Sequence, residues 1–336
     1  MRKTTKSDLP GEYWAEIPVH DPKTDTNIVA WIPFLLIHET MAFIFQKSRQ
    51  TLSTVCQLSA GSPKAEKHKH ICKKHNVPED KSAAIGMHTD GVPFANGQTV
   101  EVWTWNFIAI PHAERILFTL LEKQYLCRCG CHGRHTTNAV YEVLVYCMVA
   151  LLTGKRPPQR HDKRDWLKTD KKRAQQTNAE PYLNFHAFLE ELRCDWAAYK
   201  QVFGFGGWNA FSICWRCFAN REDIPFSDFS LSAAWRSRRH TTATLMALLR
   251  DSGVELCTLF SCPAWCLTHL MIDCLHTLDL GFSQDCIGNI MWEWMYSGCC
   301  AGNNKAEKLN FSGKKCDDTT RFPSRQPKSM GLLLIW

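Results

Sequence analysis

Apolar positions along the chain change rhythm several times, and each change predicts an element. Phe34, Ile37, Met41, Ile44 and Phe45, with His38 on the same stripe, recur at helical spacing and predict a helix within 31–60. Residues 1–30 ahead of it are polar and turn-rich and read as loose chain. Residues 61–82, opened by Gly61-Ser62-Pro63 and dense in Lys and His, read as a linker or exposed lobe. The tone shifts at Ala83. Residues 84–88 predict a short buried strand that ends on the turn dipeptide Asp90-Gly91. Residues 100–110, β-branched and aromatic with partial alternation, form the strongest strand signal. Residues 117–126 fit a helix or a third strand, and 138–152 fit an apolar helix.

The second half is more broken. Residues 154–181 form a hydrophilic insertion, and 183–192 resume helical periodicity. Phe203-Gly204-Phe205-Gly206-Gly207-Trp208 is a Gly-rich turn. Residues 241–249 predict a helix, and 270–294 two further apolar segments. After Gly298 the chain turns polar, then ends on the apolar stub 330–336, which reads as a truncated terminus. This organisation suggests a helical and linker region over 1–82, a core with insertions over 83–300, and an irregular tail over 301–336.

Composition narrows the class. Of 336 residues, 45% are hydrophobic and 11% aromatic, enough to build a substantial core and against wholesale disorder. A net charge of +7 is compatible with a polyanionic partner without specifying one. Seventeen cysteines are many, yet the N-terminus carries no apolar stretch of signal-peptide type, so the thiols read as reduced, some buried and some metal-bound. The apolar runs at 31–45 and 141–152 are too short for a membrane span. A soluble intracellular protein is expected.

Several clusters offer chemistry. Asp90, at a strand end, can aim a carboxylate at a hard divalent cation; standing alone, Asp-Gly is more often an ordinary hairpin turn. Asp195, between Cys194 and Trp196, would need a cation or strong donors if buried, and is otherwise a helix-surface acid. Cys214-x-x-Cys217 has the spacing with which two thiolates grip one zinc, with Asp273, His276, Cys262, Cys266 or His269 as partners; the alternative is two buried free thiols. Asp273-x-x-His276 places a carboxylate and an imidazole one helical turn apart, for metal ligation or as a capping acid with a core histidine. Cys127, Cys129, Cys131, His132 and His135 offer more ligands than one zinc needs, while Arg128 and Arg134 among them could touch phosphates. His68, His70, Cys72 and His75 read as an exposed basic stretch. The insertion carries Lys155, Arg156, Arg160, Lys163, Arg164, Lys168, Lys171, Lys172 and Arg173 around Trp166, a pattern suited to DNA backbone contact or to a solvated loop.

The order of these elements resembles the acid-triad (DDE) transposases of eukaryotic cut-and-paste elements, closest to the CACTA type. The shared elements are Asp90-Gly91, then Asp195, Gly207-Trp208, Cys214/Cys217, and Asp273/His276 with Asp279-Leu280-Gly281, spanning roughly 83–294. The resemblance implies a mixed α+β, RNase H-like core with a helical insertion and a helical N-terminal lobe. It implies that Asp90, Asp195 and a final Glu bind a pair of Mg2+ or Mn2+ ions for strand cleavage and transfer. Glu293 is the nearest candidate for that Glu, but it stands closer to His276 than the family pattern expects, so the copy is expected to be truncated, and inactive unless another carboxylate replaces that Glu. Zn2+ would be structural. DNA is the implied partner, together with a nuclear location and a homo-oligomer. The rival reading is a non-enzymatic, zinc-stabilised nucleic-acid-binding protein on the same core. A hydrolytic zinc enzyme is a third, although the deaminase pattern His-x-Glu with Pro-Cys-x-x-Cys is absent.

Overall fold

A computed structural model describes residues 10–94, 97–206, 210–212 and 214–272. The chain divides into two compact units, one of residues 1–207 with 240–271, the other of 208–239 with 272–336. The first unit is mixed α/β around a mixed five-stranded sheet.

It begins with a hairpin where loose chain was expected. β1 (Tyr13–Asp21) pairs antiparallel with β2 (Thr26–Phe34). β1 alternates, burying Tyr13, Ala15, Ile17 and Val19 while β2 stays largely exposed. The turn is closed by Asp21, whose carboxylate accepts from the Lys23 backbone N–H and the Thr24 hydroxyl, with Asp25 in the left-handed region. Next come α1 (Ile37–Lys47), α2 (Arg49–Val55) and α3 (Pro63–His75). The last of these corrects the linker reading of 61–82. Ser62 caps it by accepting from Ala65 N, Pro63 opens it, and Asn76 ends it in the left-handed region.

The sheet is built from β3 (Ser82–Pro93), β4 (Thr99–Phe107), β5 (Ile116–Glu122), β6 (His186–Cys194) and β7 (Leu270–Ile272), in the order β5-β4-β3-β6-β7. β3 pairs antiparallel with β4, which pairs antiparallel with β5; β3 and β6 run parallel. Two expectations need correcting here. Asp90-Gly91 is not the turn: β3 continues to Pro93, and the reversal falls beyond it, where Phe94 N–H bonds to Gln98 O. Residues 186–194 are strand, not helix. They are buried almost without interruption, as befits a strand covered on both faces, where strict alternation is lost.

α4 (Arg134–Thr153) packs against β6, β1 and α1, with Val140, Tyr141, Val143, Leu144, Cys147 and Leu151 buried. It is long and apolar enough to cross a bilayer, longer than the sequence suggested, but 67% of its apolar window is buried within the fold, as in a core helix. Gly154 ends it at φ +62°, where a Cβ would come within 2.7 Å of the His186 ring. Trp103, Trp105 and Phe107 of β4 join Ile85 and Met87 of β3 in the core. Each such side chain contributes about 1.5–3 kcal/mol of burial. The insertion carries α5 (Lys171–Ala179), and beyond it lie α6 (Trp196–Phe203), α7 (Ala234–Ser237) and α8 (Thr242–Asp251).

Candidate metal centre and carboxylate pair

Asp90 sits on β3 opposite Val102 of β4. Asp195 follows β6 directly in extended conformation, and its Oδ1 accepts from Ala198 N at 2.5 Å, capping α6. The last registered pair of the parallel strands is His88↔Arg193. Two residues further on each strand stand Asp90 and Asp195, so the fold brings these acids, distant in sequence, to one edge of two neighbouring strands. A third carboxylate lies nearby, on the opposite face of the sheet from Asp90. Glu101 lies on β4 opposite Gly91, with Lys123 Nζ 3.6 Å from its carboxylate. Burial raises the Glu101 pKa above the usual carboxylate range; Lys123 opposes this, and the charges of Asp195 and Asp90 add to it. Sequence reasoning passed over Glu101 because it falls inside the strongest strand signal. Its only cue was an acid in an otherwise apolar and aromatic run. Glu293, Asp273 and His276 lie outside the described residues.

The thiol cluster lies just before α4. Cys127, Cys129, Cys131 and His135 present four ligand atoms within 4.8 Å of one another. Cys127 Sγ is 3.4 Å from Cys129 Sγ, and His135 Nδ1 is 3.2 Å from Cys129 Sγ and 3.7 Å from Cys127 Sγ. The backbone makes this convergence possible. Gly130 adopts φ +93° between the second and third thiols, and Gly133 φ +82° at the helix start, conformations that suit glycine. Cys127 O accepts from Gly133 N, and Cys131 O from Arg134 N, folding the loop back on itself. Burial tends to raise the Cys131 pKa, but backbone N–H groups of His135 and Gly133 and the neighbouring thiols outweigh it and hold Cys131 below the usual thiol range. This constellation could hold a metal ion such as zinc. His132, at φ +54°, is not part of it.

Cys214 and Cys217 belong to the second unit. The Cys214 thiol is carried down to about 6 by its bond with Cys217, against the cost of burial, with backbone N–H groups of Arg216 and Cys217 assisting. Cys217 packs with Ala219, Ile224, Ala233 and Trp235. The offered partners Cys262, Cys266 and His269 lie in the first unit, where burial depresses His269 to about 3.

The patch at His68, expected to be an exposed basic stretch, is exposed at His70 and the neighbouring lysines but not at His68 or Cys72. His68 and Cys72 are buried on the inner face of α3. His68 Nδ1 pairs closely with the Glu190 carboxylate of β6, while Nε2 lies 3.0 Å from Ser82 O and 3.5 Å from Cys72 Sγ.

The basic insertion is divided between two roles. Arg160 is buried, bonding Asp170 at 2.6 Å and Trp14 O at 2.6 Å. Arg173 forks onto Glu39 at 2.7 and 3.0 Å and reaches Asp170 at 2.8 Å. These two guanidiniums also lie over the Tyr13 ring, at 4.8 and 5.4 Å. Arg164 pairs with Asp162 and Glu16. Lys155, Lys163, Lys171 and Lys172 are exposed. Lys155, Arg156 and Lys163 line an open cleft of about 1150 Å³ together with His75, His161 and His186.

No family model, curated protein or solved structure matches the chain.

Proposed function

We propose that this chain is a transposase-like, DNA-directed protein on an RNase H-like core. The observation that carries the reading is the pairing of β3 with β6 inside the order β5-β4-β3-β6-β7, which brings Asp90 and Asp195 to adjacent strand ends. Oxygen donors of this type suit hard divalent cations, so Asp90 and Asp195 would hold Mg2+ or Mn2+. When bound, such ions activate a water or 3′-hydroxyl and stabilise the leaving oxygen at a phosphodiester. The protein's own part is to fix the two carboxylates. The cap on α6 orients Asp195, and the ladder to β4 orients Asp90. A nuclear location and self-association would accompany such a role. The rival, a non-enzymatic nucleic-acid-binding protein stabilised by zinc, is favoured by the Cys127–Cys129–Cys131–His135 cluster, which needs no acid triad.

The test is Mg2+- or Mn2+-dependent nicking of supercoiled plasmid by the purified full chain beside Asp90→Asn and Asp195→Asn. Asparagine caps a helix as well as aspartate does, so the second variant removes charge while keeping α6 in place. Nicking by the wild type that both variants lose is the expected result. Salt-sensitive DNA binding without nicking would shift the reading to the binding protein, and neither activity would overturn both.

A further inference from the structure

We propose that Cys127, Cys129, Cys131 and His135 hold one structural Zn2+ in a closed three-sulfur, one-nitrogen shell, with Glu255 as the carboxylate that orients the His135 ring. The inference does not rest on the DNA chemistry proposed above.

The donor set selects the metal. Three thiols and an imidazole suit a borderline-soft ion and are poor ligands for Mg2+ or Ca2+. The size of the site selects tetrahedral coordination. Zn–S bonds of about 2.3 Å and Zn–N bonds of about 2.0 Å place sulfurs about 3.8 Å apart and sulfur and nitrogen about 3.6 Å apart. The corresponding separations here are 3.4 Å between Cys127 and Cys129, and 3.2 and 3.7 Å from Cys129 and Cys127 to His135 Nδ1. A few tenths of an ångström of adjustment fits these three, and the Cys131 sulfur, within 4.8 Å of the other ligand atoms, closes the shell with a shift of up to about an ångström. Four protein ligands leave no open position, which marks the site as structural.

The surroundings supply the outer support that zinc histidines usually have. With Nδ1 turned to the sulfurs, His135 directs Nε2 at Glu255, 3.7 Å away. The loop that carries the thiols is also tied to its neighbours. Arg128 N bonds to Asn27 Oδ1 at the β1–β2 turn, and Cys127 N bonds to Thr136 Oγ1, which itself donates to Pro18 O. The ion would therefore fasten the hairpin, the first turn of α4 and the segment after α8 to one another. Cys127 is buried, whereas Cys129 and His135 face solvent, so the metal enters and leaves from the His135 side.

Metal content of the full-length protein, together with Co2+ titration of the metal-stripped protein, tests this. Because Cys214 and Cys217 could hold an ion of their own, the readout is the difference between wild type and variants. Cys129→Ser and His135→Ala are each expected to lose one equivalent of zinc and the thiolate-to-cobalt charge-transfer band of the three-sulfur, one-nitrogen site. Glu255→Gln is expected to keep the stoichiometry and bind about 10- to 100-fold more weakly. Cys56→Ser, outside every metal site considered, is the control. Wild-type protein that takes up no tetrahedral Co2+, or a Cys129→Ser variant with unchanged metal content, overturns the site. Unchanged affinity in Glu255→Gln overturns the role of Glu255. None of these readouts depends on DNA cleavage, so failure here and failure of the transposase reading are separable.

Discussion

Two buried histidines are shifted in opposite directions, and each contributes to one side of the pH dependence of stability. Burial depresses His38, on α1 against Tyr146, to about 4. Its folded pKa lies below the usual 6.5, so its contribution is intact above pH 6.5 and is lost as pH falls towards 4. Burial also opposes the charge on His68, but bonds with Cys72 and Glu190 and the Glu190 charge carry it to about 10. Its contribution is full below pH 6.5 and declines as pH rises towards 10. Stability measured by urea denaturation across pH 4–10 should therefore fall at both ends. His38→Phe should lessen the acid-side decline without removing it, because burial depresses His161 and His269 as well. Glu190→Gln, which strands a buried imidazolium, should cost about 3–5 kcal/mol at neutral pH and flatten the alkaline side. An alkaline decline that survives in Glu190→Gln would refute the assignment of that side to this pair.

At the scale of elements, Asp195 serves a helix as well as the carboxylate pair, and the two roles can be separated. Asp195→Ala removes the cap of α6 and should cost about 1 kcal/mol in thermal or urea unfolding, while Asp195→Asn should be close to neutral. Asparagine as damaging as alanine would mean that the charge, not the cap, stabilises the fold. The elements also show where the sequence was legible. β4 and α4 stood out as long runs, and β3 as a short buried run that the structure extends to Ser82–Pro93. β6 was misread because Leu183, Ala187, Phe188, Leu189 and Leu192 satisfy helical spacing as readily as they fill a strand buried on both faces. The hairpin was missed because only β1 buries a regular face, and α3 because His68, Ile71 and Cys72 make a narrow stripe among lysines. The thiol cluster was legible by residue type, and the structure supplied its membership by leaving His132 out. Glu101 was invisible because its relation to Asp90 and Asp195 exists only once three strands are side by side.

Across the whole molecule, charge is less available to a partner than the abundance of basic residues suggests. Among the cations that the sequence assigns to DNA, Arg164 and Arg173 are committed to acids of the first unit, and the same holds for the neighbouring Arg160. If the chain binds duplex DNA, the salt dependence of binding distinguishes these groups. Removing one cation that neutralises a phosphate reduces the slope of log K against log salt by about 0.9. Lys155→Ala and Lys163→Ala, at the exposed cleft, should each lower the slope by about that amount and leave stability almost unchanged. Arg173→Ala should leave the slope alone and cost about 3–5 kcal/mol of stability, since it strands the nearly buried Glu39 carboxylate, while Asp170 keeps Arg160. Fluorescence-anisotropy titrations over a series of salt concentrations, with urea melts on the same samples, read both quantities. A slope that drops in Arg173→Ala but not in the lysine variants would show that the guanidinium leaves its acids to meet the nucleic acid. The insertion would then be a binding arm that the free protein holds folded against itself.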